Sequence, residues 1–365
     1  MKNTIRLYEL LVISANKGLQ LLQQNGAMPS GHNGPYNDPE TSVRNTSHWL
    51  IIFLKALEIS ADKQFEDAAI KCLKYIMSSD ARPHGFTFWH RTKKGKDSTN
   101  GVIGQAWGIE ALVEAYKVFG EKEIISLALD LFNLHPYDEK LNGWKIVDID
   151  GKHIGFDYTF NHQLWFAATG VLLEQATGKL LRSVQSFLEA LPRNLQIYPD
   201  GIIKHVPTLY LKHGMIEKIK ASAFELKHRL DSSKHLYYKS VGYHGFNLYA
   251  LSIIDETVPS LEIFEVSKVK KAMSVLEMSN FGNNLEKSKY GYPYNPAGIE
   301  LAYACQRVAK EKESKLWIQQ QFDRTFDLTA NLMIKGKPFD VNTAAARLYE
   351  AVRLKDAEIV TDGRI

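Results

Sequence analysis

The stretch Asn100-Gly-Val-Ile-Gly-Gln-Ala-Trp107 places an Asn directly before an apolar run that is rich in small residues. Asn is a good helix N-cap, because its side-chain oxygen accepts hydrogen bonds from the free amides of the first helical turn. The stretch therefore predicts that an apolar helix starts here. Small residues such as Gly104 and Gly108 predict that this helix packs closely against its neighbours.

Segments of this kind recur along the whole chain, and their starts are Asn45, Asn100, Asn161, Asn247, Asn295 and Asn342. More polar, amphipathic segments lie between them, at residues 5–24, 63–79, 121–134, 180–191, 261–279 and 311–326. Apolar helices that alternate with amphipathic ones are typical of a closed ring of helical hairpins, because no hairpin buries its apolar face alone. The sequence thus predicts an all-α fold, a single (α/α)6 barrel over residues 1–365.

Three segments interrupt the helical pattern with alternation typical of strands. Residues 143–156 contain a tight turn at Asp150-Gly151, and residues 194–206 contain one at Asp200-Gly201. A third extended stretch covers residues 85–92. Each segment precedes the start of an inner helix, so we expect short β-hairpin insertions on one face of the ring, the predicted active face.

The composition excludes several classes of function. The chain has 45 basic and 41 acidic residues without a long run of one sign, which argues against a nucleic-acid partner. Cys72 and Cys305 stand apart, so we expect two buried free thiols. The sequence has no phosphate-binding glycine loop, zinc-protease helix or serine-hydrolase elbow, and we predict neither a cofactor nor a metal.

The N-terminal segment and the hydropathy pattern indicate where the protein works. Residues 1–24 lack the continuous apolar stretch of a secretion signal. The longest apolar run, around Trp49, is too short to span a bilayer. We therefore expect a cytoplasmic protein without membrane insertion, whose oligomeric state the sequence leaves open.

Two aspartates occupy similar positions ahead of consecutive inner helices. Asp97 precedes Asn100 by three residues, and Asp157 precedes Asn161 by four. A glycosidase needs one carboxyl group to protonate the leaving oxygen and another to act as base or nucleophile. We predict that Asp97 and Asp157 form this pair, with helix capping or turn bonding as the alternative for either residue.

The loop before the first inner helix is dense in polar and aromatic residues. Residues 28–49 include Asp38, Glu40, Arg44, His48 and Trp49. A plain connection seldom places an arginine, a histidine and a tryptophan at the start of a buried helix. The last four of these residues are predicted to bind the substrate.

Further candidates cluster at the other helix starts. The additional predicted substrate-binding residues are Trp89, Arg91, Gln105, Trp107, Asn161, His162, Trp165, Tyr292 and Tyr294, and the additional predicted catalytic residues are His90, Tyr243 and His244. Sugars stack on aromatic rings, although plain packing is the alternative role for any single ring. Asp340, two residues before Asn342, is predicted to cap a helix.

The repeat pattern resembles the six-hairpin, or (α/α)6-barrel, carbohydrate-active enzymes, including unsaturated glucuronyl and rhamnogalacturonyl hydrolases. Three segments are similar to proteins of polysaccharide gene clusters and to the helical domain of glucuronyl C5-epimerases. They are Arg44-Asn-Thr-Ser-His-Trp49, Asn100-Gly-Val-Ile-Gly-Gln-Ala-Trp107 and Tyr243-His-Gly-Phe-Asn-Leu-Tyr-Ala-Leu251.

The resemblance implies two kinds of chemistry. In the hydrolases, aspartates near inner-helix starts act as acid and base, which points to Asp97 and Asp157. In uronate epimerases and lyases, a Tyr or His removes the proton beside a carboxylate while a cation or amide neutralises the acid group. The residues that match these roles are Tyr243, His244, His90, Arg44 and Arg91.

We therefore expect a carbohydrate-active enzyme that acts on a uronate-containing oligosaccharide or polysaccharide, with glycosidic hydrolysis as the primary reaction. Uronate C5-epimerisation and β-elimination are the alternatives within the same class. A non-catalytic glycan-binding protein is the alternative from another class.

Overall fold

The computed structural model describes residues 3–211, 233–336 and 338–361. Their α-helices are α1 (Leu7–Leu21), α2 (Val43–Ser60), α3 (Lys63–Met77), α4 (Gly101–Phe119), α5 (Lys122–Asn133), α6 (Phe160–Thr177), α7 (Arg182–Asn194), α8 (Ser233–Gly242), α9 (His244–Thr257), α10 (Ser267–Ser274), α11 (Phe281–Lys287), α12 (Ala297–Arg307), α13 (Glu311–Thr325) and α14 (Val341–Ala346). The strands are β1 (Asn3–Arg6), β2 (Tyr137–Asp138), β3 (Gly143–Val147), β4 (His153–Phe156) and β5 (Glu358–Thr361).

The apolar helices form a closed inner ring. Helices α2, α4, α6, α9 and α12 contact one another in this order, and a 3-10 helix at Arg347–Arg353, which continues α14, contacts both α12 and α2. The amphipathic helices that alternate with them are α1, α3, α5, α7, α10 and α13. The predicted (α/α)6 barrel is confirmed.

Small residues let the inner helices approach the outer layer, as predicted. At Gly170 of α6, an added Cβ would lie 2.4 Å from Val184 of α7 and 2.8 Å from Phe132 of α5. Any larger side chain would therefore push these helices apart. Cys72 and Cys305 are both buried and free, as expected.

The helix starts differ from the prediction in one respect, because the side chains of the six asparagines do not cap helices. Asn100 stands at the N-cap position of α4 without a capping bond, and its backbone is left-handed with φ 57°. Three of the amides bond loop carbonyls instead. Asn45 Nδ2 donates to Pro29 O at 2.8 Å, Asn295 Nδ2 to Tyr290 O at 2.7 Å and Asn342 Nδ2 to Ser30 O at 2.8 Å. At these three positions the asparagine anchors a loop and does not cap a helix.

Aspartates provide side-chain caps at two other helix starts. Asp62 accepts from the amide of Gln64 at the start of α3. Asp340 accepts from the amide of Thr343 at 3.1 Å, which confirms its predicted capping role. A carboxylate suits this position because it meets the positive end of the helix dipole.

The first predicted hairpin is confirmed, and the other two extended segments are only partly strand-like. Strands β2, β3 and β4 form a three-stranded antiparallel sheet. The second turn is closed by an isolated bridge between Ile197 and Ile203, and the third segment makes a single bridge between Arg91 and Glu40. These segments all lie ahead of inner helices.

The two ends of the described chain meet in a small sheet. Strand β1 pairs antiparallel with β5, with Asn3 opposite Thr361 and Arg6 opposite Glu358. None of the described helices combines the length and apolar character that crossing a bilayer requires.

Candidate active site

A cavity of about 130 Å³, hereafter the central cavity, opens among the N-terminal ends of the inner helices. Its wall comes from the loops before α2, α4 and α6 and from the starts of the inner helices. The lining residues are Asn33, Tyr36, Asp38, Arg91, Lys96, Asn100, Ile103, Trp107, Thr159, Asn161, His162, His205, Lys239, Tyr243, Phe246, Tyr294, Asn295 and Arg347.

Most charged groups in this wall are already paired. Lys96 Nζ lies 2.5 Å from Asp38 Oδ2, and Asp38 is the one carboxylate among the lining residues. Arg91 pairs with Asp97. Arg347 forms bonds of 2.9 Å with Glu300 and 2.6 Å with Glu350. These pairs cancel charge within the wall or directly behind it.

Lys239 is the exception. This half-buried lysine makes no ion pair with any residue in the described part of the chain, and its Nζ lies 5.0 Å from the ring centre of Tyr36 and 5.5 Å from that of Tyr290. Burial, with help from the charges of Lys96 and Lys289, lowers the pKa of Lys239 to about 8. An anionic ligand would supply the missing counter-charge.

His162 reaches the cavity with a carboxylate behind it. Its Nδ1 lies 2.9 Å from Asp157 Oδ2, which also accepts from the Val102 amide at 3.0 Å. Burial alone would raise the pKa of Asp157, but the charge and hydrogen bond of His162 and two backbone amides hold it below its ordinary value. Asp157 is therefore a carboxylate that orients His162 and leaves Nε2 free to accept a proton.

His205 and Tyr243 lie together in the wall, with ring centres 4.9 Å apart. Burial, aided by the charges of Lys239 and His162, lowers the pKa of His205 well below its ordinary value, so its imidazole is neutral. The Tyr243 hydroxyl lies 2.8 Å from that of Tyr36, and burial raises the pKa of Tyr243 well above its ordinary value. The cavity thus holds the neutral imidazole of His205 beside two protonated phenols.

Several buried polar atoms at the cavity have no hydrogen-bond partner among the described residues, and those of Asn161 and Trp107 belong to side chains that make no hydrogen bond there at all. Asn161 is 1% exposed, yet both its amide oxygen and its amide nitrogen are without a partner among the described residues. The same holds for Nε1 of Trp107. Unsatisfied buried polar atoms are rare and costly in folded proteins, which marks these groups as suited to a polar ligand.

The structure brings six of the eighteen predicted residues to the wall of this cavity. Arg91, Trp107, Asn161, His162, Tyr243 and Tyr294 line the central cavity. Arg44 lies directly behind them, with its guanidinium 4.1 Å from the ring centre of Trp107 and 3.3 Å from the Tyr294 hydroxyl. Glu40 pairs with Arg44 at 3.4 Å, and burial raises the pKa of Glu40 to about 7.

The predicted carboxylate pair is not found in the cavity wall. Asp97 pairs with Arg91 and accepts from Thr99 and from the Gly101 amide, so it organises the loop before α4. Asp157 lies behind His162. Both aspartates are close to helix starts, as the sequence indicates, but local hydrogen bonds turn them away from the cavity.

The other predicted histidines have structural surroundings outside the wall. His244 Nδ1 accepts from the Ile203 amide at 3.2 Å, and its Nε2 lies 3.0 Å from Ala272 O, so both nitrogens serve the backbone. His48 stacks on Tyr349 at 3.9 Å. Burial lowers the pKa of His90 to about 3 where it packs against Trp107. None of the three histidines lines the central cavity, and their contacts are with the surrounding backbone and rings.

The remaining predicted residues also lie outside the central cavity. Trp49 and Trp165 are core residues, and Trp165 Nε1 donates to Phe246 O at 3.0 Å. The Gln105 amide bonds both backbone groups of Phe88, and Trp89 Nε1 donates to Arg91 O. Aromatic and amide side chains here hold the loops onto the ring. Tyr292 faces a neighbouring cavity.

Tyr36, Lys239 and His205 are functional candidates that our reading of the sequence missed. Lys239 precedes Tyr243 by four residues, and the Tyr243 amide bonds Lys239 O at 3.1 Å in a helical turn. Residues at this spacing share one helix face, so the pair could have been found from the sequence. Within the described residues, no group of three His, Cys, Asp or Glu side chains is placed to hold a metal ion.

The closed ring of helices and the central cavity at its N-terminal ends define the chain as a six-hairpin, (α/α)6-barrel protein with a glycoside-hydrolase-like fold. No model of a known protein family matches the sequence. The chain belongs to the family of archaeal glycosylation protein Q of Haloferax volcanii, with which it is 40% identical over 373 residues, spanning 98% of this chain and 99% of that protein.

Solved structures with the same fold include sugar-processing enzymes. Cellobiose 2-epimerase from Bacillus thermoamylovorans superposes with a TM-score of 0.63 at 10% identity, covering 93% of this chain and 95% of the epimerase. An unsaturated glucuronyl hydrolase specific for heparin superposes with a TM-score of 0.58 at 12% identity, covering 95% of each chain. At such low identity the likeness shows the fold alone.

Proposed function

We propose that the protein is a carbohydrate-active enzyme that acts on a uronate unit of an oligosaccharide or polysaccharide by moving the proton at C5. The name of its relative, a glycosylation protein, and the sugar-processing enzymes that share its fold support a role in carbohydrate processing. The reaction and the acidic substrate are inferred from the central cavity.

The composition of the cavity wall is the observation that carries this proposal. The wall contains two imidazoles, His162 and His205, and the ammonium group of Lys239, which has no ion pair within the described part of the chain. Its one carboxylate, Asp38, is held by Lys96. Hydrolysis by a conventional pair requires two carboxyl groups at the scissile bond, whereas proton transfer beside a carboxylate requires a base and a cation.

Lys239 and His162 have different roles in removing the C5 proton. Lys239 neutralises the carboxylate of the uronate, which makes the C5 proton more acidic and stabilises the enolate that forms. His162, oriented by Asp157, accepts the proton at Nε2 as the C5–H bond breaks and its electron pair moves into the C5–C6 bond.

The second half of the reaction decides the product. Epimerisation requires an acid that returns a proton to the opposite face of C5, and the Tyr243 phenol, which burial keeps protonated, supplies it. The phenolate then regains a proton from solvent as His162 releases the one that it took from C5. β-Elimination instead requires that the leaving oxygen at C4 is protonated. We rank epimerisation first, because the protonated phenol of Tyr243 lines the same cavity as His162.

Hydrolysis remains the second candidate because of one observation. The hydrogen-bonded Asp157 and His162 could also activate a water molecule as a general base, with Asp38 as the remaining carboxyl group at the cavity. This mechanism would replace the predicted pair of Asp97 and Asp157 by a carboxylate that acts through an imidazole.

One experiment separates these reactions. The protein is incubated in deuterated water with glucuronate-containing oligosaccharides and with neutral oligosaccharides of equal length. Deuterium at C5 without chain cleavage indicates epimerisation, a conjugated product that absorbs in the ultraviolet indicates elimination, and new reducing ends alone indicate hydrolysis. Glycan binding without any product would reject the enzyme and favour a glycan-binding protein.

A further inference from the structure

A second cavity, of about 410 Å³, adjoins the central cavity at the same face of the ring. The loop before α12, the end of α13 and the loop before α14 form its wall. Tyr294, Asn295 and Arg347 line both cavities, so they form a partition between the two.

The partition is held rigidly from behind. Asn295 Oδ1 accepts from Arg347 at 2.8 Å, and Asn295 Nδ2 donates to the carbonyls of Gly242 and Tyr290. Arg347 is also paired with Glu300. Because these side chains are buried and bonded, the two cavities keep a fixed relation to each other.

The second cavity combines aromatic surface with polar groups. Phe339 lines this cavity and is 54% exposed, so its ring is accessible to a ligand. Tyr292 also lines the cavity, with the guanidinium of Arg324 5.0 Å from its ring centre. Aromatic faces next to a few fixed polar groups are typical of sites that bind small polar ligands.

The sizes of the two cavities indicate how a ligand divides between them. Ligand sites usually enclose about 300–1,000 Å³, a range that includes the second cavity and excludes the central cavity. The central cavity alone therefore suits a single small unit. A larger ligand must pass the partition formed by Tyr294, Asn295 and Arg347.

We infer that the second cavity is a subsite for the sugar next to the reacting uronate, and that the substrate is therefore a glycosidically linked oligosaccharide and not a free monosaccharide. Phe339 stacks on this neighbouring sugar, and the glycosidic bond crosses the partition. This inference rests on the proposed function, since it places the reacting uronate in the central cavity.

The test measures how affinity depends on ligand length. Calorimetric titration uses glucuronic acid, a disaccharide and a tetrasaccharide that contain glucuronate, and neutral oligosaccharides of the same lengths. The variant Phe339→Ala removes the ring, Phe339→Tyr retains it, and Phe86→Ala removes a ring of similar exposure, 42%, outside both cavities.

We expect the parent to bind the disaccharide at least about tenfold more tightly than glucuronic acid. Phe339→Ala should lose about three- to tenfold in disaccharide affinity, a size typical of one aromatic contact, and keep its affinity for glucuronic acid. Phe339→Tyr and Phe86→Ala should behave like the parent.

Equal affinity of the parent for ligands of all lengths would overturn the subsite. So would a Phe339→Ala variant that loses as much affinity for glucuronic acid as for the disaccharide. Either result would leave the proposed function intact. Length-dependent binding of neutral sugars that Phe339→Ala weakens, without any preference for uronate, would support the subsite and overturn the acidic substrate. Absence of binding to every ligand would reject both.

Discussion

His162 lines the central cavity, whereas Asp157, whose Oδ2 lies 2.9 Å from His162 Nδ1, does not. The carboxylate can therefore influence a bound substrate only through the imidazole. This arrangement differs from the carboxylate pair of a conventional glycosidase, and its role in the proposed proton transfer can be tested by substitution.

Asp157→Asn should lower kcat by about 10²–10⁴-fold, because the imidazole loses the group that orients it and stabilises its protonated form. The KM should change little, since Asp157 does not line the cavity. Asp97→Asn is the matched control and should retain kcat within about threefold. The rate of deuterium incorporation at C5 measures both. An equal, large loss of kcat in both variants would instead support Asp97 and Asp157 as the catalytic carboxylate pair.

Asn161→Leu should leave the free energy of unfolding unchanged or raise it by about 1–2 kcal/mol, because it removes a buried amide without partners. The same substitution at Asn295 should lower that free energy by about 1–3 kcal/mol, since three hydrogen bonds are lost. Urea denaturation gives both values. Only Asn161→Leu should combine intact stability with weakened ligand binding, and a clear loss of stability there would show that the amide has a structural role.

Affinity for a glucuronate-containing ligand should fall as the pH rises through about 8, the pKa of Lys239 in the unliganded protein. The reason is that the anion binds the protonated amine, so the charge that attracts it is present below this pH and lost above it. Burial raises the pKa of Tyr36 and of Tyr290, which face the same amine, so both phenols stay neutral in this range.

Titrations between about pH 6 and 9 provide the measurement. Lys239→Met should bind weakly at every pH, and Lys239→Arg should extend tight binding above pH 8 because guanidinium stays charged. A neutral oligosaccharide should show no such dependence. The same pH profile in Lys239→Met and in the parent would assign the titration to another group.

Gly18→Ala should lower the free energy of unfolding by about 1–3 kcal/mol, because the new Cβ would lie 2.3 Å from the Trp49 ring. Gly282→Ala is the control, since nothing lies within 4 Å of its added Cβ, and it should raise that free energy by up to about 1 kcal/mol. Thermal unfolding compares the two. If Gly18→Ala is as stable as the parent, the Trp49 ring does not pack this closely against α1.

The ring could be predicted from the sequence because it depends on a pattern that repeats along the chain. Each inner helix combines an apolar run with small residues, and the close approach at Gly170 shows why these are needed. The exact helix starts could not be predicted from Asn residues, because an Asn amide bonds a loop carbonyl as readily as a helical amide. The loop contacts of Asn45 illustrate this.

The site was harder to predict because it depends on which side chains are oriented toward the cavity. Asp97 stands close to a helix start, yet its bonds to Arg91 and to the Gly101 amide keep it out of the cavity. His205 and Lys239 come from separate segments that only the closed ring brings together. Spacing along the chain identified the face, and tertiary contacts decide which groups are exposed on it.

The pairing of β1 with β5 has a consequence for the topology of the chain. Since Asn3 lies opposite Thr361, a short covalent linker could join these two positions without disturbing a helix. New chain termini could then be placed in any exposed loop between hairpins, on the face away from the cavity. Such a circular permutant could begin with any of the helical hairpins, because the ring of hairpins is closed.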